Sequence, residues 1–176
     1  MTRLLPVLLF IMLIAPGYGY SQLENTWSFQ QLDSLQQIEK RPILVFIYAD
    51  WCRYCRAMEH TTFQDEAVKA WLDSTFYMVS LDAETKQDIE VRDQTFHYQP
   101  TGNGTGQHEL AQALGSIEGK LTLPTLSFLS ADYTILYQQP GFLKPNELTT
   151  ILKAVYELDQ ANQIKSAEGK SVSMMN

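Results

Sequence analysis

The most constraining feature of the sequence is an apolar run that ends almost directly at a closely spaced pair of cysteines. Residues 42–48, PILVFIY, have the β-branched and aromatic composition of a strand that is covered on both faces. Trp51-Cys52-Arg53-Tyr54-Cys55 follow, and residues 52–60 permit a helix. The sequence therefore predicts a buried strand, a cysteine pair and a helix in immediate succession, with Cys52 at the helix N-terminus.

This arrangement is suited to thiol–disulfide exchange. A cysteine at a helix N-terminus faces unpaired backbone N–H groups and the positive end of the helix dipole, which stabilise its thiolate. Cys55 lies nearly one turn later, close enough to attack a mixed disulfide at Cys52. Arg53 and Arg56 should lower the thiol pKa, whereas Glu59 opposes them and, if buried, can shuttle a proton. We predict Cys52 as the attacking thiolate, Cys55 as the resolving thiol and Glu59 as the proton carrier.

The rest of the chain alternates between helix and strand patterns. A capping pattern at Ser28 begins a helix, and further helical spacing covers residues 67–72, 109–114 and the segment after Pro145. Strand patterns cover residues 77–81, 125–129 and 134–137. The predicted fold class is α/β, with a central mixed sheet of about four or five strands flanked by helices.

An insertion of about residues 88–106 interrupts this alternation. Residues 89–92 and 95–98 alternate around Asp93-Gln94, which predicts a hairpin. Residues 99–106 contain three glycines and Pro100, which predicts a flexible loop.

The two ends of the chain differ from its middle. Residues 1–21 combine Arg3, an apolar run and small residues near Ser21, which is typical of a cleaved export signal. No cysteine follows the signal, so we expect no lipid anchor. One domain over residues 22–159 and a polar, flexible tail over residues 160–176 are predicted. The net charge of −7 excludes a nucleic-acid partner, which requires concentrated Lys and Arg.

The segment from Tyr48 to Glu59 resembles the thioredoxin family, and within it the periplasmic thioredoxin-like domain of DsbD-type thiol–disulfide reductases. The likeness extends over about residues 28–158 and includes Leu123-Pro124-Thr125, similar to the cis-proline loop of the family, and Pro140-Gly141-Phe142, similar to its late substrate-facing turn. It implies a thioredoxin-like three-layer fold, a periplasmic location and a substrate groove. The resemblance assigns that groove to Trp51, Arg53, Tyr54, Leu123, Pro124 and Gly141.

Two positions depart from the family pattern. Thioredoxins place a buried aspartate six residues before the first cysteine, where this chain has Phe46. Glu59, at a position where the related domain has a glutamate, is our candidate replacement. Arg53-Tyr54 between the cysteines matches neither the reducing nor the oxidising members, so the direction of electron flow is open.

Several alternatives remain beside the predicted reductase. Disulfide oxidase or isomerase activity competes within the enzyme class, and a redox-silent module that binds peptides through Leu123-Pro124 competes outside it. A metal site would need four ligands and a structural disulfide would close only a very small loop, so both are disfavoured. We predict no metal and no cofactor beyond the Cys52–Cys55 pair, and a monomer whose partners are disulfide-containing proteins and a thiol donor such as a membrane reductant conductor.

Overall fold

The computed structural model describes Leu23 and residues 26–102 and 104–173, so the predicted export signal lies outside the described residues. The helices are α1 (Phe29–Ile38), α2 (Arg53–His60), a 3-10 turn (Thr62–Gln64), α3 (Glu66–Thr75), α4 (Glu109–Gly115) and α5 (Pro145–Ser173). The strands are β1 (Ile43–Tyr48), β2 (Tyr77–Asp82), β3 (Ile89–Val91), β4 (Gln94–Phe96), β5 (Tyr98–Gly102), β6 (Thr105–His108), β7 (Ser116–Ile117), β8 (Lys120–Leu121), β9 (Thr125–Leu129) and β10 (Ile135–Pro140). Among these residues, none of the helices is both long and apolar enough to cross a bilayer.

The central sheet is mixed and has four strands in the order β10-β9-β1-β2. β1 runs parallel to β2 and antiparallel to β9, and β9 pairs antiparallel with β10. The parallel pairing places the carboxyl ends of β1 and β2 at one edge, where Tyr48 is the register partner of Asp82. The predicted α/β class with a mixed sheet is confirmed, and the cysteines follow this edge.

β1 is covered on both faces, as its composition predicts. Leu44 and Phe46 face one apolar cluster, to which α2, α3 and α5 contribute Met58, Val68, Leu72, Leu148 and Leu152. Ile43, Val45 and Ile47 face a second cluster, to which α1 and α4 contribute Phe29, Leu32, Leu110 and Leu114. Because successive side chains of a strand point to opposite faces, one continuous apolar run supplies both clusters.

Local capping residues begin α1 at the predicted place and also begin α3. The backbone N–H of Ser28 donates to Oε1 of Gln31 (2.9 Å) at the start of α1. Asp65 caps α3 by accepting the N–H groups of Ala67 and Val68 at 3.0 and 3.2 Å. Asp65 therefore fixes the junction between the 3-10 turn and α3.

The insertion contains two hairpins. β3 and β4 form the predicted hairpin, with Arg92 in its turn at a φ of 53°. β5 and β6 pair as a second hairpin, so the prediction of a flexible loop over residues 99–106 is wrong. Gly104 takes a φ of 76° at the turn, and a Cβ on Gly106 would lie 2.4 Å from the ring of Tyr98. The glycines therefore permit the pairing, whereas their number alone indicated a loop.

α5 continues to Ser173, beyond the end near Gln160 that the sequence predicts for it. The segment predicted as a polar, flexible tail is thus helical as far as Ser173. Residues 161–168 include two Ala, one Gln, one Lys and one Glu, which favour a helix without needing an apolar face. The prediction relied on apolar periodicity, which ends earlier than the helix does.

Candidate functional site

Cys52 and Cys55 form a disulfide at the N-terminus of α2. Their Cα atoms are 5.2 Å apart. Cys52 is the N-cap residue, and its sulfur accepts a hydrogen bond from the backbone N–H of Cys55 at 3.1 Å. The sulfur of Cys52 therefore faces the unpaired N–H groups of the first helical turn, where a thiolate would be stabilised by the same bond and by the helix dipole.

The two cysteines differ in access to solvent. Cys52 keeps 4% of its surface exposed, whereas Cys55 has none. Both belong to the cluster built around Phe46 and Met58. An incoming disulfide can thus reach Cys52 from solvent, while Cys55 stays behind it in the apolar interior.

The loop before β9 and the turn after β10 lie together. The Leu123–Pro124 peptide bond is cis, and the N–H of Gly141 donates to the carbonyl of Pro124 at 2.8 Å. Gly141 has a φ of 89°, which favours glycine. Leu123 packs against the cluster that contains both cysteines. The structure thus joins Pro124 to Gly141 and packs Leu123 against the apolar cluster to which the cysteines belong.

Three predicted groove residues are exposed beside the disulfide. Trp51 is 64% exposed and Tyr54 is 68% exposed, and Arg53 also faces solvent on the first turn of α2. The indole N–H of Trp51 donates to Oε1 of Glu84 at 3.0 Å. Glu84 follows β2, so the tryptophan before the first cysteine is held from a neighbouring loop.

Glu59 lies on α2 four residues after Cys55, on the same side of the helix. It is half-buried, and this burial raises the pKa of its carboxyl above the ordinary value. The charge of His60 and that of Arg56 lower the pKa of Glu59, and Asp50 raises it. A carboxyl with a raised pKa is better matched to carrying a proton near neutral pH than an ordinary glutamate.

The structure adds acidic neighbours that the sequence interpretation missed. Burial raises the pKa of Asp82, and burial together with the charges of Asp82, Asp50 and Glu59 raises the pKa of Tyr48. These four residues therefore share one electrostatic environment at the carboxyl edge of β1 and β2. The available signal was Asp82 itself, an acidic residue directly after the predicted strand of residues 77–81.

Phe46 occupies the position of the buried aspartate of thioredoxins and is itself fully buried. Its ring centroid lies 5.0 Å from that of Phe63 and 5.6 Å from that of Tyr48. This part of the interior is packed by aromatic rings, so the acidic groups lie at its rim instead.

Comparisons with known proteins cover most of the described domain. A family model described as a thioredoxin-like domain matches residues 29–156. Over 75 residues, the chain is 35% identical to the thiol:disulfide interchange protein DsbD of Vibrio vulnificus, a match that covers 42% of this chain and 12% of that protein. The chain therefore corresponds to a small part of this relative.

Two solved structures share the fold. A thioredoxin from Thermus thermophilus aligns with a TM-score of 0.54 and 20% identity, covering 76% of this chain and 88% of that chain. DsbH oxidoreductase aligns with a TM-score of 0.50 and 19% identity, covering 76% of this chain and 84% of that chain.

Proposed function

From the premise that the chain belongs to the thioredoxin-like family, we propose that it is an exported thiol–disulfide oxidoreductase that reduces disulfides in periplasmic proteins. One observation carries this proposal: the slightly exposed Cys52 sulfur caps α2 and accepts the N–H of Cys55. That position stabilises a sulfur anion at Cys52 and keeps a second sulfur in bonding reach.

The proposed reaction consists of two exchanges of sulfur bonds. The thiolate of Cys52 attacks one sulfur of the substrate disulfide, forms a mixed disulfide and releases the other substrate sulfur as a thiolate. Cys55 then loses its proton and attacks the sulfur of Cys52, which releases the second substrate sulfur. The substrate gains two electrons, the Cys52–Cys55 disulfide forms, and a thiol donor must reduce it again.

We assign Glu59 as the acceptor of the Cys55 proton. Cys55 is wholly buried, so water reaches its thiol poorly, and burial disfavours its thiolate. Glu59 is one turn away, and the raised pKa of its half-buried carboxyl suits proton transfer. Phe46 offers no proton acceptor at the position that serves thioredoxins.

The substrate groove in this proposal runs between Trp51 and the Leu123–Pro124 loop. The Gly141 N–H donates to the carbonyl of Pro124, and Leu123 packs against the apolar cluster that contains Cys52 and Cys55. An extended segment of the substrate can pair with backbone beside Pro124 while its disulfide meets Cys52. Arg53 and Tyr54 form the solvent-facing rim of this groove on α2.

The acidic neighbours favour electron flow from this protein to its substrates. Reduction of the pair creates a thiolate at Cys52, which the helix N-terminus stabilises and which the carboxylates grouped around Tyr48 oppose. In our proposal the carboxylates lower the reduction potential enough to make the dithiol a donor. The similarity to DsbD, a thiol:disulfide interchange protein, supports disulfide exchange. The reducing direction and a membrane reductant conductor as the thiol donor are part of our proposal.

Trapping the mixed disulfide tests the proposal. In a Cys55→Ala variant the second exchange cannot occur, so Cys52 should remain linked to a substrate thiol. Mass spectrometry after quenched alkylation of protein incubated with a disulfide probe should show that adduct, and a Cys52→Ala variant should show none. Absence of an adduct in Cys55→Ala would instead indicate a redox-silent binding module. Equilibration of the pair in glutathione buffers measures its potential, and a value in the oxidising range would overturn the reductase direction.

A further inference from the structure

Residues 83–88, which follow β2, form the loop that leads from the active site to the insertion. The N–H of Ala83 donates to the carbonyl of Tyr48 at the end of β1 (2.8 Å). Glu84 accepts the indole N–H of Trp51 at 3.0 Å. This loop is therefore attached to the segment that leads into the first cysteine.

The same loop is attached to the base of the β5–β6 hairpin. The N–H of His108 donates to the carbonyl of Ala83 at 2.8 Å, and Nε2 of His108 lies 3.1 Å from the carbonyl oxygen of Gln87. His108 is fully buried. The Nζ atom of Lys86 lies 5.8 Å from the ring centroid of Tyr98, within cation–π range. These contacts fix the hairpin relative to Trp51.

Beyond its base, the β5–β6 hairpin exposes most of its surface. Gln99, Thr101 and Thr105 are exposed, and residues 98–108 include no Asp, Glu, Lys or Arg. A two-stranded ribbon that covers so little core contributes weakly to stability on its own. An uncharged ribbon also presents main-chain and hydroxyl groups rather than a charge pattern, which suits contact with polypeptide backbone.

We propose that residues 83–88, 98–102 and 104–108, named here the docking arm, bind the polypeptide that flanks the target disulfide of a protein substrate. This inference rests on the proposed function and specifies its substrate class. The arm continues the surface of Trp51 through Glu84 and Lys86. A small disulfide engages Cys52 and the Leu123–Pro124 loop alone, whereas a protein disulfide carries chain that extends across Trp51 onto the arm.

A trimmed variant separates these two substrate classes. Gln99 and Gln107 are register partners, so a two-residue Asn-Gly turn can replace residues 100–106. The replacement keeps the contact between Trp51 and Glu84 and the hydrogen bond from His108 to Ala83. With dithiothreitol as donor, we expect kcat/KM for insulin and for scrambled ribonuclease A to fall about tenfold or more. The kcat/KM for 5,5′-dithiobis(2-nitrobenzoate) should stay within about twofold of the wild-type value.

A point variant and a matched control complete the test. Thr105→Arg leaves the ribbon backbone in place, adds bulk to its exposed face and should lower the rate on both protein probes only. Glu90→Ser with Thr95→Ser changes exposed register partners of the neighbouring hairpin and should leave all rates unchanged. Equal losses on small and protein disulfides, or no loss in the two arm variants, would overturn the docking arm. Failure of the wild-type protein to react with any probe would instead overturn the proposed function.

Discussion

Introducing the aspartate of thioredoxins into this chain, by Phe46→Asp, should destabilise it in a pH-dependent way. Phe46 lies on β1 among aromatic rings and is fully buried. Its nearest acidic neighbourhood, around Tyr48, already contains half-buried carboxyls with raised pKa values. A carboxylate at position 46 would have no access to solvent, and its charge would be repelled by that of Glu59 and Asp82.

The expected magnitude has two parts. Loss of the ring alone, measured by Phe46→Asn, should cost about 3–5 kcal/mol, as for truncation of a buried phenylalanine. The aspartate adds a charge penalty, because burial raises its pKa in the folded state above the ordinary value of about 3.9. The protonated carboxyl is tolerated in the folded state better than the ionised one, so the charge penalty is absent below about pH 4. Above that pH the free energy of unfolding falls by about 1.4 kcal/mol per pH unit. It should reach about 4 kcal/mol by pH 7 if the folded-state pKa is raised to about 7 or higher.

Urea unfolding followed by fluorescence, at several pH values between about 4 and 7, measures both parts. Phe46→Asn and Phe46→Asp should coincide at the acidic end and diverge steadily toward neutral pH. Phe46→Leu is the packing control and should cost about 1 kcal/mol at every pH. If the Asn and Asp variants stay within about 0.5 kcal/mol of each other at pH 7, the interior tolerates an ionised carboxylate and our account of Phe46 fails.

Three further predictions concern the rim of the site. Glu59→Gln removes the proposed acceptor of the Cys55 proton, so the lifetime of a mixed disulfide at Cys52 should lengthen by about tenfold or more at pH 7, measured by rapid alkylation. If the rate at which the mixed disulfide resolves and its pH profile are unchanged, Glu59 has no part in the mechanism. Because burial raises the pKa of Asp82, that residue costs stability as the pH rises through its titration range. Asp82→Asn should therefore be more stable than the wild-type protein at pH 7, by about 0.5 kcal/mol after allowance for solvent screening, and equal to it in acid, a trend that urea unfolding checks. Gly141→Ala places a Cβ on a residue with a positive φ, beside the hydrogen bond to Pro124, so it should cost about 1 kcal/mol of stability. In a Cys55→Ala background it should also weaken trapping of the substrate as a mixed disulfide. Trapping at the level seen without the Gly141→Ala change would contradict a groove at this turn.

Patterns within short segments predicted most of the architecture. The apolar run of β1, the capping residues of α1 and the spacing of apolar residues in α3 and the first part of α5 each depend on neighbours a few positions away. The cysteine pair was found in the same way, because a helix N-terminus and a three-residue spacing are local facts. The β5–β6 hairpin was missed because its pairing depends on Tyr98 packing over Gly106, which glycine content does not reveal.

The sequence by itself determined the strand, the disulfide and the helix that presents Cys52, since these follow from hydrophobic period, spacing and backbone geometry. Only the tertiary structure decided what surrounds the sulfurs. It groups Glu59 with Asp82 around Tyr48, and it attaches the docking arm to Trp51 through Glu84 and to Tyr48 through Ala83. These contacts link residues far apart in the chain, and they exist because parallel pairing of β1 with β2 brings two strand ends to one edge. Burial and electrostatic environment are properties of that arrangement rather than of any single segment.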